Sequence, residues 1–330
     1  MVLFAIFCIQ FIAFAQEPAD YVNPFIGTSN YGATFPGPIA PRGMASISPF
    51  NVAGAPNKLE KDSQWLSNPY VHENTFLTGF SQVNLSGVGC PDLGVLLLMP
   101  TTGELETNHL KYGSTYKNEV AKAGYYSTHI DKYDIKAEFT ASKHVGVSKF
   151  TFPNGQANVL LNLGLGLTNE QGAMVQVVSS TEIQGMRSVG TFCYNSPEAA
   201  YPVYFVAKFS KPADRFGVWK KPAKYEGTEA QWMAYNGKNR LMEQSTKMVV
   251  GDSIGSYFSY NFEKTETVEV KIGVSYVSIE NARENLEKET GNKSFDAVCK
   301  ETYNEWNELL SKIKVEGGTT EDKTVFYTAL

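Results

Sequence analysis

Short runs of alternating apolar and polar residues fill the chain from about residue 21 to residue 276. In the clearest run, apolar side chains occupy every second position from Val268 to Tyr276. A period of two is typical of a strand that buries one face. The other predicted strands are residues 135–139, 147–152, 159–163, 203–209, 247–250 and 258–262. No helical period separates these runs, so the pattern predicts a mainly β fold, a large antiparallel β-sandwich, rather than βαβ units.

The pattern changes after Tyr276. Residues 279–289 favour a helix, and Ser294 is a good N-cap for a second helix, whose apolar residues recur at steps of three and four. Gly317 and Gly318 end that region, and another apolar segment runs to Leu330. We therefore predict a β-sandwich domain over residues 16–277, a helical linker over residues 278–316 and the start of a further, truncated domain over residues 317–330.

The first fifteen residues are predicted to be a secretory signal peptide. Residues 1–15 are apolar except for Gln10 and end in Ala13-Phe14-Ala15, which fits the small-residue pattern of a signal cleavage site. The segment is too short to span a bilayer, so no stable membrane span is expected. A plain N-terminal anchor is the alternative interpretation. Export would place the protein in the periplasm or outside the cell.

Composition and charge exclude several functions. The chain has 29 Lys and Arg residues against 34 Asp and Glu residues. It therefore has no excess of positive charge for neutralising phosphates, and no nucleic acid partner is expected. After the signal peptide the cysteines are Cys90, Cys193 and Cys299, which allow one disulfide at most rather than a disulfide scaffold. The four histidines lack metal-ligand spacing, so they predict no metal site.

Two stretches are too dense in glycine, proline, asparagine and aromatic residues for ordinary strands. They run from Tyr21 to Pro49 and from Gly79 to Gly94. These stretches resemble the N-terminal domain of glycoside hydrolase family 92, the calcium-dependent exo-acting α-mannosidases. The resemblance continues in order through Gly124-Tyr125-Tyr126, Glu138-Phe139-Thr140-Ala141, Gly190-Thr191-Phe192-Cys193, Trp306-Asn307 and Phe326-Tyr327-Thr328-Ala329-Leu330.

The resemblance implies a galactose-mutarotase-like sandwich followed by linker helices and a catalytic (α/α) barrel. In that family the barrel carries a glutamic acid as general acid, an aspartate as general base and most of the calcium site. Inverting hydrolysis needs two carboxylates about 6.5–9.5 Å apart. Glu60, Asp62, Glu73 and Asp92 show no spacing that singles out such a pair. We therefore assign no catalytic and no metal-binding residue here, and we expect this segment alone to be inactive.

The resemblance also implies that the sandwich contacts the sugar. Trp65 matches an aromatic residue near the leaving-group sugar, where an indole ring can stack on pyranose C–H groups; a core or interface tryptophan is the alternative. Phe192 and Cys193 match a loop that reaches the terminal mannose; a small buried hydrophobe is the alternative for Cys193. Gln82 and Asn84 stand where the family commonly has histidines. Their amides can still bind sugar hydroxyls, but the linkage specificity is left open.

The leading hypothesis is an N-terminal, carbohydrate-contacting domain of an exported α-mannosidase that hydrolyses terminal α-mannosides of glycans with inversion. A non-catalytic carbohydrate-binding β-sandwich module and a structural or partner-docking module are the alternatives. Calcium is expected in the full-length enzyme, and its C-terminal catalytic domain is the expected intramolecular partner. Trp306, Val325, Phe326, Tyr327 and Leu330 are expected to form an exposed apolar patch where that domain would pack.

Overall fold

The computed structural model describes residues 16–29, 32–54, 56–61, 66–168, 172–190, 197–220, 240–243 and 248–330. The strands are β1 (Ser48–Pro49), β2 (Phe76–Leu77), β3 (Phe80–Ser81), β4 (Val83–Asn84), β5 (Leu93–Val95), β6 (Leu97–Thr102), β7 (Ser114–Lys122), β8 (Tyr125–Ile130), β9 (Ile135–Ala141), β10 (Val145–Phe152), β11 (Gly155–Asn162), β12 (Ala173–Ser179), β13 (Glu182–Val189), β14 (Tyr201–Phe209), β15 (Arg215–Lys220), β16 (Arg240–Glu243), β17 (Val249–Gly251), β18 (Ile254–Phe262) and β19 (Glu266–Ser275). The α-helices are α1 (His109–Tyr112), α2 (Ile279–Glu289), α3 (Phe295–Leu310) and α4 (Thr320–Ala329). Short 3-10 helices cover Pro18–Tyr21, Asp131–Tyr133 and Pro197–Ala199.

Two large sheets form the body of the molecule. The described strands of the seven-stranded sheet have the order β1-β3-β6-β11-β18-β15-β16, and those of the ten-stranded sheet have the order β17-β12-β13-β14-β19-β10-β9-β8-β7-β2. Strands β4 and β5 form a separate pair. Each pairing within the described ranges is antiparallel. The mainly β, antiparallel sandwich with C-terminal helices that the sequence predicts is therefore confirmed.

Aromatic side chains join the two sheets in the core. Phe80 of the seven-stranded sheet lies 4.3 Å from Phe139 of the ten-stranded sheet, measured between ring centroids. Phe258 of the seven-stranded sheet stacks on Phe209 of the ten-stranded sheet, with ring centroids 4.0 Å apart. All four rings are buried. Such aromatic pairs stabilise a core beyond the area that they bury, so they hold the sheets face to face at two separate points.

Strand β19 shows how the alternating pattern produces this packing. Val268, Val270 and Ile272 are fully buried, whereas Glu269 and Lys271 between them are half-buried. The strand's last residues are buried on both faces because helix α2 covers the outer side of the ten-stranded sheet. Ala282 and Leu286 of α2 belong to the same apolar cluster as residues 145, 147 and 206 of strands β10 and β14.

Helix α2 is fixed at both ends. At its start the Ser278 side chain accepts a hydrogen bond from the backbone N–H of Asn281 at 3.1 Å, which is N-cap geometry. At its end the Glu289 carboxylate accepts hydrogen bonds from Ser142 Oγ at 2.6 Å and from the His144 backbone N–H at 2.9 Å. Partial burial raises the pKa of Glu289, but the hydrogen bonds from Ser142 and His144 outweigh it and leave the pKa below its ordinary value.

Helix α3 packs on the β8–β9 hairpin and on the N-terminal segment. Thr302 Oγ1 donates to the Ala141 carbonyl at 2.7 Å. Trp306 Nε1 donates to the Ile39 carbonyl at 2.6 Å, and the indole ring packs against an apolar cluster that includes Ala19 and Tyr327. The expected exposure of Trp306 is therefore wrong, because the N-terminal segment half-buries its ring. Tyr327 is also buried.

Helix α4 begins at Thr320, four residues before Thr324, where the apolar segment predicted from the sequence begins. Thr319 and Asp322 form a capping box, with the Thr319 side chain accepting from the Asp322 backbone N–H at 3.1 Å. Val325, Phe326 and Leu330 are exposed on this helix and at its end, as expected. None of the helices in the described ranges is long and apolar enough to cross a membrane.

The substitution Gly273→Ala is expected to weaken the docking of α2. A Cβ at residue 273 would lie 2.3 Å from the Ala282 carbonyl oxygen and 2.8 Å from Leu286 Cβ. Overpacking of this kind costs about 1–3 kcal/mol, which urea denaturation would measure as a lower free energy of unfolding.

Gly89→Ala is the matched control because a Cβ at that glycine would meet nothing within 4 Å. Its free energy of unfolding should change by less than about 0.5 kcal/mol. Equal stability of the two variants would show that the close contact between β19 and α2 does not limit helix docking.

Candidate functional site

A pocket of about 580 Å³ lies where three separate parts of the chain meet. One wall is a loop of residues 85–90, called the glycine loop below. The second comes from the segment that carries Ser67, and the third from residues on both sides of the Phe192-Cys193 stretch. The lining residues are Ser67, Leu85, Ser86, Gly87, Val88, Gly89, Cys90, Asp92, Gly190, Ala199 and Tyr201.

The glycine loop exposes its backbone to the pocket. Gly87 has a φ of +102°, a conformation that favours glycine. An added Cβ at Gly87 or at Gly89 would meet no atom within 4 Å, so a ligand can approach the main chain closely at both positions. Val88 between them is 91% exposed. The loop therefore combines accessible backbone with an apolar side chain.

Asp92 connects two walls of the pocket. Its Oδ1 accepts hydrogen bonds from the backbone N–H of Leu93 at 2.8 Å and of Gly190 at 3.2 Å. Its Oδ2 accepts from the Tyr201 hydroxyl at 3.2 Å. Burial and, next, the Asp92 charge raise the pKa of Tyr201. The phenol therefore stays protonated and remains a donor to Asp92.

Cys90 in the pocket wall forms a disulfide. Its partner lies outside the described residues. Cys299, on helix α3, is a free thiol, and partial burial raises its pKa. The disulfide at Cys90 fixes the end of the glycine loop.

Gln82 and Asn84 do not line the pocket. Gln82 is 1% exposed, its Nε2 donates to the Phe80 carbonyl at 3.0 Å, and its Oε1 has no hydrogen-bond partner among the described residues. Asn84 Nδ2 donates to the Ser46 carbonyl at 2.7 Å, and its Oδ1 accepts from Ser81 Oγ at 2.6 Å. The Asn84 amide joins strand β3 to the Ser46 segment, and contact of either amide with a sugar stays a prediction.

The three other predicted sugar-contacting residues, Trp65, Phe192 and Cys193, lie outside the described residues, as does Asp62. Their described neighbours Ser67 and Gly190 line the pocket, but the roles of the three residues stay predictions. Of the remaining candidate carboxylates, Asp92 lines the pocket, whereas Glu60 and Glu73 do not. Sequence reasoning did not single out Asp92, although its place beside Cys90 in the second glycine-rich stretch was a usable signal.

A half-buried carboxyl group, Glu119 of strand β7, anchors the segment that carries Ser67. Glu119 Oε1 accepts hydrogen bonds from the Tyr126 hydroxyl at 2.6 Å and from the Tyr70 hydroxyl at 3.0 Å. The Tyr70 oxygen also lies 3.3 Å from His72 Nδ1. Burial raises the pKa of Glu119. The hydrogen bonds from the two tyrosines and the nearby His72 lower it by less, so the pKa lies above its ordinary value. This cluster could not be predicted from the sequence, because Tyr70 is 49 residues from Glu119 and only the fold brings the two together.

The described residues contain no group of three or more His, Cys, Asp or Glu side chains that could hold a metal ion.

Two family models match this chain. The model of the glycosyl hydrolase family 92 N-terminal domain matches residues 21–275, and the model of the family's catalytic domain matches residues 281–330. The chain therefore belongs to glycosyl hydrolase family 92 and contains the N-terminal domain of that family.

Similar proteins include two solved mannosidases from Bacteroides thetaiotaomicron. A family 92 α-mannosidase in complex with mannoimidazole is 28% identical, with a TM-score of 0.79 over 95% of this chain and 39% of its own. An inverting family 92 mannosidase, 21% identical, shares the fold with a TM-score of 0.72 over 94% of this chain and 38% of its own. An uncharacterized secreted glycosidase from Arthroderma benhamiae is 25% identical over 96% of this chain and 41% of its own length. The chain thus spans about 40% of the length of these relatives.

The substitution Glu119→Gln is expected to remove a pH-dependent loss of stability. The folded-state pKa of Glu119 lies above the ordinary value of 4.5. The contribution of Glu119 to the free energy of unfolding is therefore fully present below the unfolded-state pKa and is lost as pH rises through the folded-state pKa. Both tyrosine hydroxyls donate to Oε1, so a glutamine oxygen can accept both. Urea unfolding at a series of pH values should show that the wild type loses free energy of unfolding above about pH 4.5 and that the variant does not share this loss.

The substitution Glu289→Gln should change the pH dependence of stability in the opposite direction. The folded-state pKa of Glu289 is lowered, so its contribution is present above the unfolded-state pKa and is lost as pH falls through the folded-state pKa. This variant should therefore be less stable than the wild type at neutral pH and close to it in strong acid. Parallel stability curves for the wild type and Glu119→Gln would refute the assignment of the pH dependence to Glu119.

Proposed function

We propose that this chain is the carbohydrate-contacting N-terminal part of an exported α-mannosidase that hydrolyses terminal α-mannosides of glycans with inversion. The observation that carries the proposal is a pocket with an accessible glycine loop and a carboxylate, in a chain that matches both models of family 92. A relative of 28% identity is an α-mannosidase with mannoimidazole bound, which supports mannose as the sugar.

The pocket offers the two kinds of surface that a pyranose ring needs. Leu85 and Val88 provide exposed apolar side chains for the C–H face of a sugar. Ser86 and Asp92 provide polar groups for its hydroxyls. A carboxylate has about four acceptor sites, and Asp92 uses three of them for Leu93, Gly190 and Tyr201. One acceptor site therefore remains for a sugar hydroxyl, and the other three bonds hold the carboxylate still.

We propose that the proton transfers are performed by the rest of the protein. Inverting hydrolysis needs a general acid and a general base about 6.5–9.5 Å apart. Among the described lining residues Asp92 is the one carboxylate, so they do not provide such a pair. The domain whose family model matches from residue 281 onwards is proposed to supply both groups. The calcium requirement that the resemblance implies is proposed for the complete protein only.

Three observations support export to the periplasm or beyond the cell. The first fifteen residues are apolar except for Gln10, as in a signal peptide. Cys90 forms a disulfide, and disulfides persist in oxidising compartments. A relative of 25% identity is named as a secreted glycosidase.

The complete protein is expected to release mannose from an aryl α-mannoside and from an α-mannobiose, with β-mannose as the first product detected by NMR. Residues 16–330 alone should release none. In the complete protein Asp92→Asn should lower kcat/KM about tenfold or more, because it replaces an acceptor that faces the sugar.

Asp214→Asn is the control, since Asp214 Oδ2 accepts from the Asn261 backbone N–H at 2.8 Å and does not line the pocket. Mannose release by residues 16–330 would contradict the assignment of catalysis to the other domain. A complete protein that binds α-mannosides without cleaving them would instead favour a non-catalytic carbohydrate-binding module.

A further inference from the structure

We propose that Asn68 is a positioning residue that holds the glycine loop of the pocket in place. The effect on catalysis rests on the proposed function, whereas the effect on the loop itself does not. The proposal stands on a closed chain of hydrogen bonds that joins the two glycine-rich stretches of the sequence at this pocket.

Gly87 of the glycine loop is held at both of its backbone polar groups. Its N–H donates to the Ala33 carbonyl at 2.6 Å. Its carbonyl accepts from Ser67 Oγ at 3.2 Å. Two segments that are distant in sequence therefore hold one residue of the pocket wall, and its position depends on how firmly those two segments are joined.

Asn68 joins them. Its side chain is next to Ser67 in sequence and is 1% exposed. Asn68 Nδ2 lies 2.7 Å from the Thr34 carbonyl oxygen and 3.3 Å from the Gly32 carbonyl oxygen, the two residues on either side of Ala33. It also lies 3.1 Å from the Tyr70 carbonyl oxygen. One buried amide thus fixes the Ala33 segment relative to the Ser67 segment.

Other contacts also hold the glycine loop: Cys90 forms a disulfide at its end, and Ser86 Oγ donates to the Ala33 carbonyl at 3.4 Å, a bond that depends on the same Ala33 segment. Gly87 has no side chain, and an added Cβ would have no neighbour within 4 Å. Val88 is almost fully exposed. Removing the Asn68 amide would take this donor from the half-buried Gly32 and Thr34 carbonyls and from the buried Tyr70 carbonyl. Ala33 and Ser67 could then move apart, because a backbone carbonyl that loses its partner must find another. The expected consequence is a mobile pocket wall.

Asn158 of strand β11 provides a matched control. It is fully buried, its Nδ2 donates to Thr101 Oγ1 at 3.3 Å and to the Gly103 carbonyl at 3.1 Å, and its Oδ1 accepts from Ser259 Oγ at 2.6 Å. None of these partners lines the pocket. Asn158→Ala therefore removes a comparable number of buried hydrogen bonds without touching the glycine loop.

The first experiment measures hydrogen exchange at the Gly87 amide in the complete protein. Asn68→Ala should raise the exchange rate about tenfold or more, because the loop can then open locally without breaking the hydrogen bonds of Asn68. Ser67→Ala should raise it less, and Asn158→Ala should leave it near the wild-type rate. Ser67→Ala removes a single hydroxyl, so it keeps the test open if Asn68→Ala fails to fold.

The second experiment measures steady-state kinetics of the complete protein with an α-mannoside. Asn68→Ala should raise KM about tenfold with kcat nearly unchanged, whereas Asn158→Ala should change KM less than about twofold. Wild-type protein without activity would refute the proposed function but leave the exchange test of Asn68 valid. The positioning role would be overturned if the Gly87 amide exchanged at the wild-type rate in both Asn68→Ala and Ser67→Ala. It would also be overturned if Asn158→Ala raised KM as much as Asn68→Ala does.

Discussion

Buried backbone must be hydrogen-bonded even where no long strand is available, and this constraint governs the part of the molecule that builds the pocket. Strands β1 to β5, between residues 48 and 95, are only two or three residues long. Yet Phe50, Val52 and Val71 in this region are fully buried. Side-chain amides provide the missing partners, so the shape of the pocket wall depends on a few asparagines rather than on a sheet.

The geometry of these amides shows how they replace a neighbouring strand. Asn51 Nδ2 donates to the Val71 carbonyl at 2.8 Å, and Asn51 Oδ1 accepts from the Val71 N–H at 2.8 Å. Asn74 Oδ1 accepts from the backbone N–H groups of Lys58 and Leu59. An amide carries both a donor and an acceptor, so it can pair with both polar groups of a peptide unit, as a strand partner would. The sandwich supplies a rigid support, and the amides attach the irregular loops to it.

The sandwich and its helices could be predicted because their signals are local. The alternation that ends at Tyr276 predicts strand β19, and Ser294 predicts the start of helix α3, where its side chain accepts from the Ala297 N–H. The stretch from Gly79 to Gly94, which is too dense in glycine for an ordinary strand, contains the glycine loop that lines the pocket.

The remaining features could not be predicted, because they depend on residues that only the fold brings together. Trp306 is half-buried against the N-terminal segment, where it donates to the carbonyl of Ile39, 267 residues away. The role of Asp92 depends on Gly190 and Tyr201, which are 98 and 109 residues away. Burial of Glu119 is invisible in the sequence, since strand β7 is mostly exposed and its tyrosine partner Tyr70 lies on another segment.

The most direct test of the sugar-binding role of this pocket is a crystal structure of the complete protein with mannoimidazole. The sugar ring should lie against the glycine loop, with one hydroxyl within a hydrogen-bonding distance of about 2.5–3.0 Å from Asp92. The Asp92 bonds to Gly190 and Tyr201 should be intact. A ring bound elsewhere, with neither Asp92 nor the glycine loop in contact with it, would contradict this role.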